Sequence, residues 1–198
     1  VEASILDDDA LREAVGGGGG CRFVFHEAAM VSVPESVGDP QRCAAVNILG
    51  TERVLEIAKD AGVHRVLFAA SAAAYGGAPK LPSKEDHVPD CRSPYAASKV
   101  AGEGLLTAFA HCYPISTASL RYFNIFGPGQ NANSAYAAAI SAFHKALSSG
   151  TQPTIYGDGK QTRDFTYIDN VVHANLLAAT SPRDLRGEII NIGTGRRS

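Results

Sequence analysis

The sequence predicts an α/β fold in which helices flank a parallel β-sheet. Short apolar runs alternate with longer stretches of helical pattern along the 198 residues, and this order requires the crossover connections of parallel strands. The chain is long enough to bury a substantial core, and its 45% hydrophobic and 19% charged residues are ordinary for a soluble globular protein.

The predicted elements follow one another along the chain. Strands are predicted at residues 22–26, 64–70, 116–120 and 188–192. Helices are predicted at residues 39–61, about 93–111, about 134–148 and 169–180. Gly62 is the expected C-cap of the first of these helices. Ser93-Pro94 opens the second, because serine caps a helix and proline suits its first turn.

The tract from Gly16 to Gly20 is a low-complexity segment. A helical pattern from Asp8 to Val15 precedes it and the strand at 22–26 follows it. A phosphate-binding glycine loop has the opposite order, with the strand before the glycines and the helix after them. The order therefore favours a flexible connector over a phosphate site.

Charge and cysteine usage exclude several functional classes. The 18 basic and 20 acidic residues give a net charge of -2, which does not favour nucleic acid as a partner. No apolar run approaches the ~20 residues of a membrane helix, and no signal peptide opens the chain. The cysteines lack C-x-x-C spacing and the histidines are dispersed, so we expect no metal site and a reducing, cytoplasmic location.

Tyr95 and Lys99 carry the main chemical signal. Their i, i+4 spacing places them on one face of the helix that Ser93 opens. A nearby ammonium favours the phenolate, so we expect Lys99 to lower the pKa of Tyr95 and make it a base. Alone, the pair could equally be a surface helix turn. Ser71 lies just past a predicted strand, at the sheet edge where ligands bind, although a serine there could also be a turn former.

Eight short motifs, in order and spacing, resemble the extended short-chain dehydrogenase/reductase family, in its NAD-dependent epimerase/dehydratase branch. The resemblance covers almost the whole chain and is nearest to UDP-glucose and UDP-N-acetylglucosamine 4-epimerases. The motifs are VFHEAA at 24–29, NILGT at 47–51, SAAAYG at 71–76, SPYAASK at 93–99, LRYFN at 120–124 with Gly127-Pro128, YGDG at 156–159, TRDF at 162–165 and NIGTG at 191–195.

The resemblance implies catalytic roles for three residues. Tyr95 would be the base, Lys99 its electrostatic partner and a ligand of the nicotinamide ribose, and Ser71 a relay for the substrate hydroxyl proton. Residues that follow Ser71 separate the branches, since 4,6-dehydratases carry an Asp-Glu pair there for elimination. Ala72 and Ala73 cannot transfer protons.

The resemblance also implies binding residues for an NAD cofactor and a UDP-sugar substrate. Ser4 and Ile5 would hold the adenine, although Ser4 stands where the family usually has Asp, and Glu27 replaces a usual apolar residue. The other cofactor-binding residues would be Ala28, Ala29, Tyr95, Lys99 and Tyr122. The substrate-binding residues would be Ser71, Tyr95, Asn124, Ala138, Ala139, Tyr156 and Arg163.

In this family the expected fold is a Rossmann-like parallel sheet flanked by helices. The chain would lack the N-terminal βαβ unit with its GxxGxxG loop and most of the C-terminal substrate region. Residues 1–130 would be a partial NAD-binding domain, and 131–198 the start of a substrate region interleaved with the last Rossmann elements. Helices near 39–61 and 93–111 would pair two copies into a homodimer.

The predicted activity is 4-epimerisation of a UDP-hexose through a transient 4-keto sugar. Two alternatives remain open: an inactive fragment that acts only as a structural or dimerising module, and a 4-keto sugar-nucleotide reductase or dehydratase of the same family. Both the beginning at Val1 and the end at Ser198 are what we expect of the middle of a longer protein.

Overall fold

The computed structural model describes residues 2–17, 20–77, 81–130, 139–155 and 157–198. Its strands are β1 (Phe23–His26), β2 (Arg65–Ser71), β3 (Ser116–Tyr122), β4 (Asn124–Phe126), β5 (Phe165–Tyr167) and β6 (Arg186–Ile192). Its helices are α1 (Asp8–Gly16), α2 (Val33–Gly38), α3 (Pro40–Ala44), α4 (Gly50–Asp60), α5 (Pro94–Cys112), α6 (Ala139–Ser148) and α7 (Ile168–Thr180). In these residues there is no helix long and apolar enough to cross a membrane.

A parallel four-stranded sheet forms the centre of the fold, in the order β1-β2-β3-β6. Side chains of β2 alternate between its two faces. On one face, Phe68 packs in a cluster with Leu55 of α4 and Leu106 of α5. On the other face, Leu67 packs with Ala179 of α7. The predicted α/β architecture, a parallel sheet with helices on both faces, is confirmed.

The predicted helix at 39–61 is interrupted. Pro40–Ala44 and Gly50–Asp60 are α-helical, but a π-helical turn at Ala45–Leu49 separates them. The sequence also did not predict the short helix α2, or β4 and β5, which form a separate two-stranded parallel sheet. Three-residue strands are too short to show a period of two.

The glycine tract takes the order that the sequence predicts. Helix α1 ends at Gly16 and β1 begins at Phe23, so no strand leads into the glycines. Gly18 and Gly19 lie outside the described residues. The predicted helix at 134–148 is observed from Ala139 onward, and residues 134–138 also lie outside them.

Arg65 caps the C-terminal end of α7. The side chain is fully buried at the start of β2 and donates to the carbonyl oxygens of Ala178, Ala179, Ser181 and Arg183 at 2.6–3.1 Å. The last carbonyls of a helix have no partner within the helix. The guanidinium supplies those partners and thereby ties α7 to the sheet.

We expect Arg65→Met to lower the free energy of unfolding by about 2–4 kcal/mol, because buried carbonyls would lose charged donors. Arg65→Lys should recover only part of this, since an ammonium cannot span the same oxygens. The exposed Arg12 of α1 is the matched control, and Arg12→Met should cost under about 0.5 kcal/mol. Urea denaturation measures all three, and equal midpoints for Arg65→Met and the unchanged protein would contradict the capping role.

Candidate active site

The structure brings Ser71, Tyr95, Lys99 and Tyr122 together at one edge of the sheet. Ser71 ends β2 and Tyr122 ends β3, and the two residues are paired in register. Helix α5 packs against both strands and carries Tyr95 and Lys99 in its first turns. The site therefore lies at the carboxyl edge of a parallel sheet, where such folds bind ligands.

Several hydrogen bonds fix the beginning of α5. The Ser93 hydroxyl accepts from the Ala96 amide at 3.1 Å, as an N-cap should. Ser36 of α2 accepts from the Tyr95 amide at 3.2 Å, and Ser98 donates to the Tyr95 carbonyl at 2.8 Å. The backbone of Tyr95 is thus held from its own helix and from α2.

Lys99 is a buried lysine with only 3% of its surface exposed. Its ammonium donates to the Ala69 carbonyl at 2.7 Å and lies 4.7 Å from the centre of the Phe68 ring. Burial lowers the pKa of Lys99 to about 8, while the charge of Glu27 acts to raise it. Lys99 therefore titrates much closer to neutral pH than an ordinary lysine.

Tyr95 differs from the sequence-based expectation. Burial raises the pKa of the phenol, and a hydrogen bond from Ser71 lowers it only in part. The Lys99 ammonium donates to Ala69 and lies 5.9 Å from the Tyr95 ring centre. The expected lowering of the Tyr95 pKa is therefore wrong: the pKa lies above the ordinary value for a phenol, since desolvation outweighs the hydrogen bond from Ser71.

Ser71 is oriented for proton relay. Its hydroxyl oxygen accepts from the Ala73 amide at 3.1 Å, and the same side chain acts on the Tyr95 phenol as a donor that lowers its pKa. Ala72 and Ala73 lie in the 3₁₀ turn Ala72–Tyr75 that follows β2. Neither alanine offers an acid or base beside Ser71 for elimination chemistry, and the hydroxyl of Tyr75 at the end of the turn donates to Asn191 Oδ1 at 2.7 Å.

Asn47, the first residue of the NILGT motif, has a structural role in the site that sequence reasoning did not assign. It is buried in the π-helical turn, where its amide donates to Met30 O at 3.0 Å and to Ser98 Oγ at 2.9 Å. Its Oδ1 accepts from the Met30 amide at 2.7 Å. Asn47 thereby joins the segment after β1 to the first turns of α5. A polar residue between Val46 and Ile48 on an otherwise apolar stretch was the available signal.

Two further buried pairs surround the site. Arg121 of β3 and Glu103 of α5 form a bidentate ion pair at 2.7 and 2.8 Å. His26 of β1 bonds through Nε2 to Thr51 Oγ1 at 2.9 Å, and Thr51 donates its own hydrogen to Asn47 O at 2.7 Å. Because that hydrogen is already used, His26 Nε2 must be the donor.

The predicted cofactor-binding residues lie in two separate parts of the structure. Ala28 and Ala29 follow Glu27 after the carboxyl end of β1, and Ala28 is exposed. Ser4 and Ile5 lie elsewhere, against the start of α4, where Ile5 contacts Gly50. An exposed small residue leaves the backbone open at this edge, which fits the close approach of a cofactor.

The predicted substrate residues lie partly along the β4–β5 pair. Asn124 begins β4, and its backbone amide donates to the Asp164 carbonyl at 3.1 Å. Arg163 is exposed, and its backbone pairs in both directions with Ser198. Ala139 is exposed at the first residue of α6. Ala138 and Tyr156 lie outside the described residues.

Comparisons with known proteins give a consistent result. The model of the NAD dependent epimerase/dehydratase family matches residues 1–193. UDP-glucose 4-epimerase of Mycolicibacterium smegmatis is 39% identical over 173 residues, which are 87% of this chain and 54% of that protein. The chain spans about half the length of the curated relatives it matches.

Solved structures agree over the whole chain. UDP-N-acetylglucosamine 4-epimerase from Methanobrevibacter ruminantium, in complex with UDP-N-acetylmuramic acid, has a TM-score of 0.93 and 38% identity. The match covers 100% of this chain and 62% of that one. UDP-glucose 4-epimerase from Thermotoga maritima, with UDP-glucose, has a TM-score of 0.93 and 36% identity, covering 100% and 63%.

His26 gives a prediction about pH. Burial, and then the charge of Lys99, lower its pKa from 6.5 to about 4. The unfolded chain binds the proton at higher pH than the folded chain does, so stability falls as the pH drops from about 6.5 towards about 4. We expect this proton uptake on unfolding to lower the free energy of unfolding by about 2 kcal/mol between pH 7 and pH 5.

His26→Gln keeps a donor for Thr51 without titrating, and its urea-unfolding free energy should fall about 2 kcal/mol less over that interval. An equal fall in both proteins would refute the assignment.

Proposed function

Because the chain belongs to the NAD dependent epimerase/dehydratase family, we propose that the whole protein is an isomerase, an NAD-dependent 4-epimerase of UDP-hexoses. The observation that carries this proposal is the convergence of Ser71, Tyr95 and Lys99 at the carboxyl edge of the sheet. Ala72 and Ala73 support epimerisation over dehydration, because neither can transfer a proton at a neighbouring carbon.

We propose that Ser71 and Tyr95 move the proton of the C4 hydroxyl. Ser71 Oγ already accepts the Ala73 amide, so it retains one lone pair for the substrate hydroxyl and one hydrogen for the phenol. As a phenolate, Tyr95 takes the Ser71 hydrogen while Ser71 takes the substrate proton. The same path in reverse returns the proton to the sugar. Lys99, when protonated, favours the phenolate during this exchange.

The proposed cofactor is NAD. The chemistry that it supplies when bound is reversible acceptance of a hydride from C4. Lys99 would hold the nicotinamide ribose, Ala28 and Ala29 would leave room for the cofactor to approach the backbone, and Ser4 and Ile5 would hold the adenine. Tyr122 would border the nicotinamide. The named ligands of similar structures, which include UDP-glucose with NAD, support this assignment.

We propose a UDP-sugar as the substrate. Arg163, an exposed guanidinium just before β5, suits a diphosphate oxygen, and Asn124 at the start of β4 pairs in register with Phe165, two residues after it. Ala138, Ala139 and Tyr156 complete the proposed substrate segment.

We further propose that residues 1–130 form a partial NAD-binding domain and 131–198 the start of the substrate region. The two are interleaved, since β6 joins the main sheet while β5 pairs with β4. All four cysteines are free, which supports a cytoplasmic location.

A homodimer through α5 and the segment from Pro40 to Asp60 is also proposed. Ala97, Gly104 and Ala108 form an exposed stripe of small, uncharged residues along α5. Leu49, the residue directly before α4, is 56% exposed. Small side chains let helices approach closely, so this stripe suits packing against a second copy.

Tyr95→Phe tests the function. Removing the phenol oxygen should lower kcat for interconversion of UDP-glucose and UDP-galactose at least ~100-fold, because proton transfer is lost. Tyr113→Phe, at the far end of the same helix, is the control and should leave kcat unchanged. The assay uses the whole protein with NAD. Near-normal turnover of both UDP-hexoses and their N-acetyl counterparts by Tyr95→Phe would refute the proposal, and stoichiometric formation of NADH from NAD and a UDP-hexose would indicate a reductase running in reverse instead.

Gly104→Arg tests the interface. A Cβ at Gly104 meets nothing within 4 Å in one copy, so the variant should fold but disrupt helix packing between copies. Sedimentation equilibrium of the whole protein should show a shift from dimer to monomer. Gly38→Arg is the control, since Gly38 is equally open at the end of α2. An unchanged dimer in Gly104→Arg, or a monomeric parent protein, would contradict the proposed interface.

A further inference from the structure

Glu27 brings a carboxylate to the active-site edge that the proposed mechanism does not use. It directly follows β1, whose last residue, His26, pairs in register with Phe68 of β2. One residue further along β2 is Ala69, whose carbonyl receives the Lys99 ammonium. Glu27 is therefore level with the point where Lys99 is bound.

A chain of hydrogen bonds holds the Glu27 carboxylate. The Tyr122 hydroxyl donates to Glu27 Oε1 at 2.9 Å, and the Asn175 side-chain amide donates to the Tyr122 oxygen at 2.8 Å. The same amide donates to Val171 O at 2.9 Å within α7. The chain thus runs from the end of β1 through the end of β3 to a buried residue of α7.

The direction of these bonds decides what Tyr122 can do. An amide nitrogen only donates, so the Tyr122 oxygen is the acceptor and its own hydrogen goes to Glu27. Burial and then the charge of Glu27 raise the pKa of Tyr122. Tyr122 therefore stays protonated, with its hydrogen committed to the carboxylate.

The Lys99 ammonium faces a small set of charged and titratable groups. It faces His26 at the end of β1 and Glu27 directly after it, the Cys43 thiol of α3, and Tyr95 of its own helix. His26 is neutral above its pKa of about 4, and β2 offers only the Phe68 ring and the Ala69 carbonyl. Glu103, one turn further along α5, is paired with Arg121. Among these described neighbours, Glu27 is the carboxylate left to balance the ammonium.

We propose that Glu27 is a positioning residue that keeps Lys99 charged at neutral pH and fixes the Tyr122 proton, so that Tyr95 is the tyrosine free to exchange its proton. The role of Tyr95 in this statement rests on the proposed function. The effect on Lys99 does not, and it can be measured without any turnover.

The first experiment follows Lys99 directly. Lysine side chains of the whole protein are labelled with ¹³C at Cε and titrated by NMR from pH 6 to 10, with the Lys99 signal assigned by its loss in Lys99→Arg. In the unchanged protein the midpoint should lie near 8. In Glu27→Gln and Glu27→Leu it should fall by about one pH unit, a ~10-fold rise in the acid dissociation constant.

Two variants separate charge from structure. Glu27→Asp keeps the carboxylate and should restore most of the midpoint, whereas Glu13→Gln removes one charge from α1 and should leave it unchanged. Glu27 is exposed, so the substitutions should not unfold the protein, which circular dichroism verifies. A Lys99 midpoint in Glu27→Gln within about 0.2 units of the parent would overturn the proposal.

The second experiment is the pH dependence of kcat/KM. Lys99 acts in its charged form, so a lower pKa should move the high-pH loss of epimerisation to lower pH in Glu27→Gln, and Glu27→Asp should reverse it. An unmoved high-pH limb would contradict the link to catalysis. Absence of epimerisation by the unchanged protein would instead refute the proposed function, while the NMR result would still decide the role of Glu27.

Discussion

The buried ion pair between Arg121 and Glu103 is the interaction on which the rest of the structure depends. Arg121 precedes Tyr122 on β3, and Glu103 lies one helical turn after Lys99 on α5. Both side chains are almost fully buried, so removing either partner would leave an uncompensated charge at a cost of about 3–5 kcal/mol. The bidentate geometry permits little sliding of the helix along the strand. It therefore fixes the distance from Lys99 to the sheet edge.

Other buried contacts also fix the position of α5 against the sheet. Gly102 lies against the Phe68 ring, where even one added carbon would come within 2.5 Å, so α5 approaches β2 closely at this level. That close approach allows the Lys99 ammonium to reach the Ala69 carbonyl. Asn47 also holds this helix, through Ser98 one turn before Gly102. The catalytic side chains are thus placed by buried contacts one turn behind them, and the exposed face of the site is left free.

Sequence reasoning succeeded where the cause of a structure is local. The caps and proline of α5 and the apolar run of β2 lie within a few residues, and both elements formed as predicted. It failed where the cause is distant in sequence. Within the π-helical turn, Asn47 bonds to Met30 and Ser98, and no helical pattern at 39–61 can reveal these distant partners. Likewise, the spacing of Tyr95 and Lys99 predicted a shared face, but the desolvation of both groups depends on strands and helices far along the chain.

Burial makes this site responsive to single charges. A solvated lysine would be almost indifferent to one carboxylate, because water screens the pair, whereas a buried ammonium with a pKa of about 8 is sensitive to it. The same desolvation raises the pKa of Tyr95 and so opposes phenolate formation in the absence of ligands. Burial favours loss of the proton from Lys99 and retention of the proton on Tyr95. In both residues it disfavours the charged form, and proton exchange needs the Lys99 ammonium and the Tyr95 phenolate. A carboxylate at position 27 offsets the first effect directly, because its negative charge favours the charged form of Lys99.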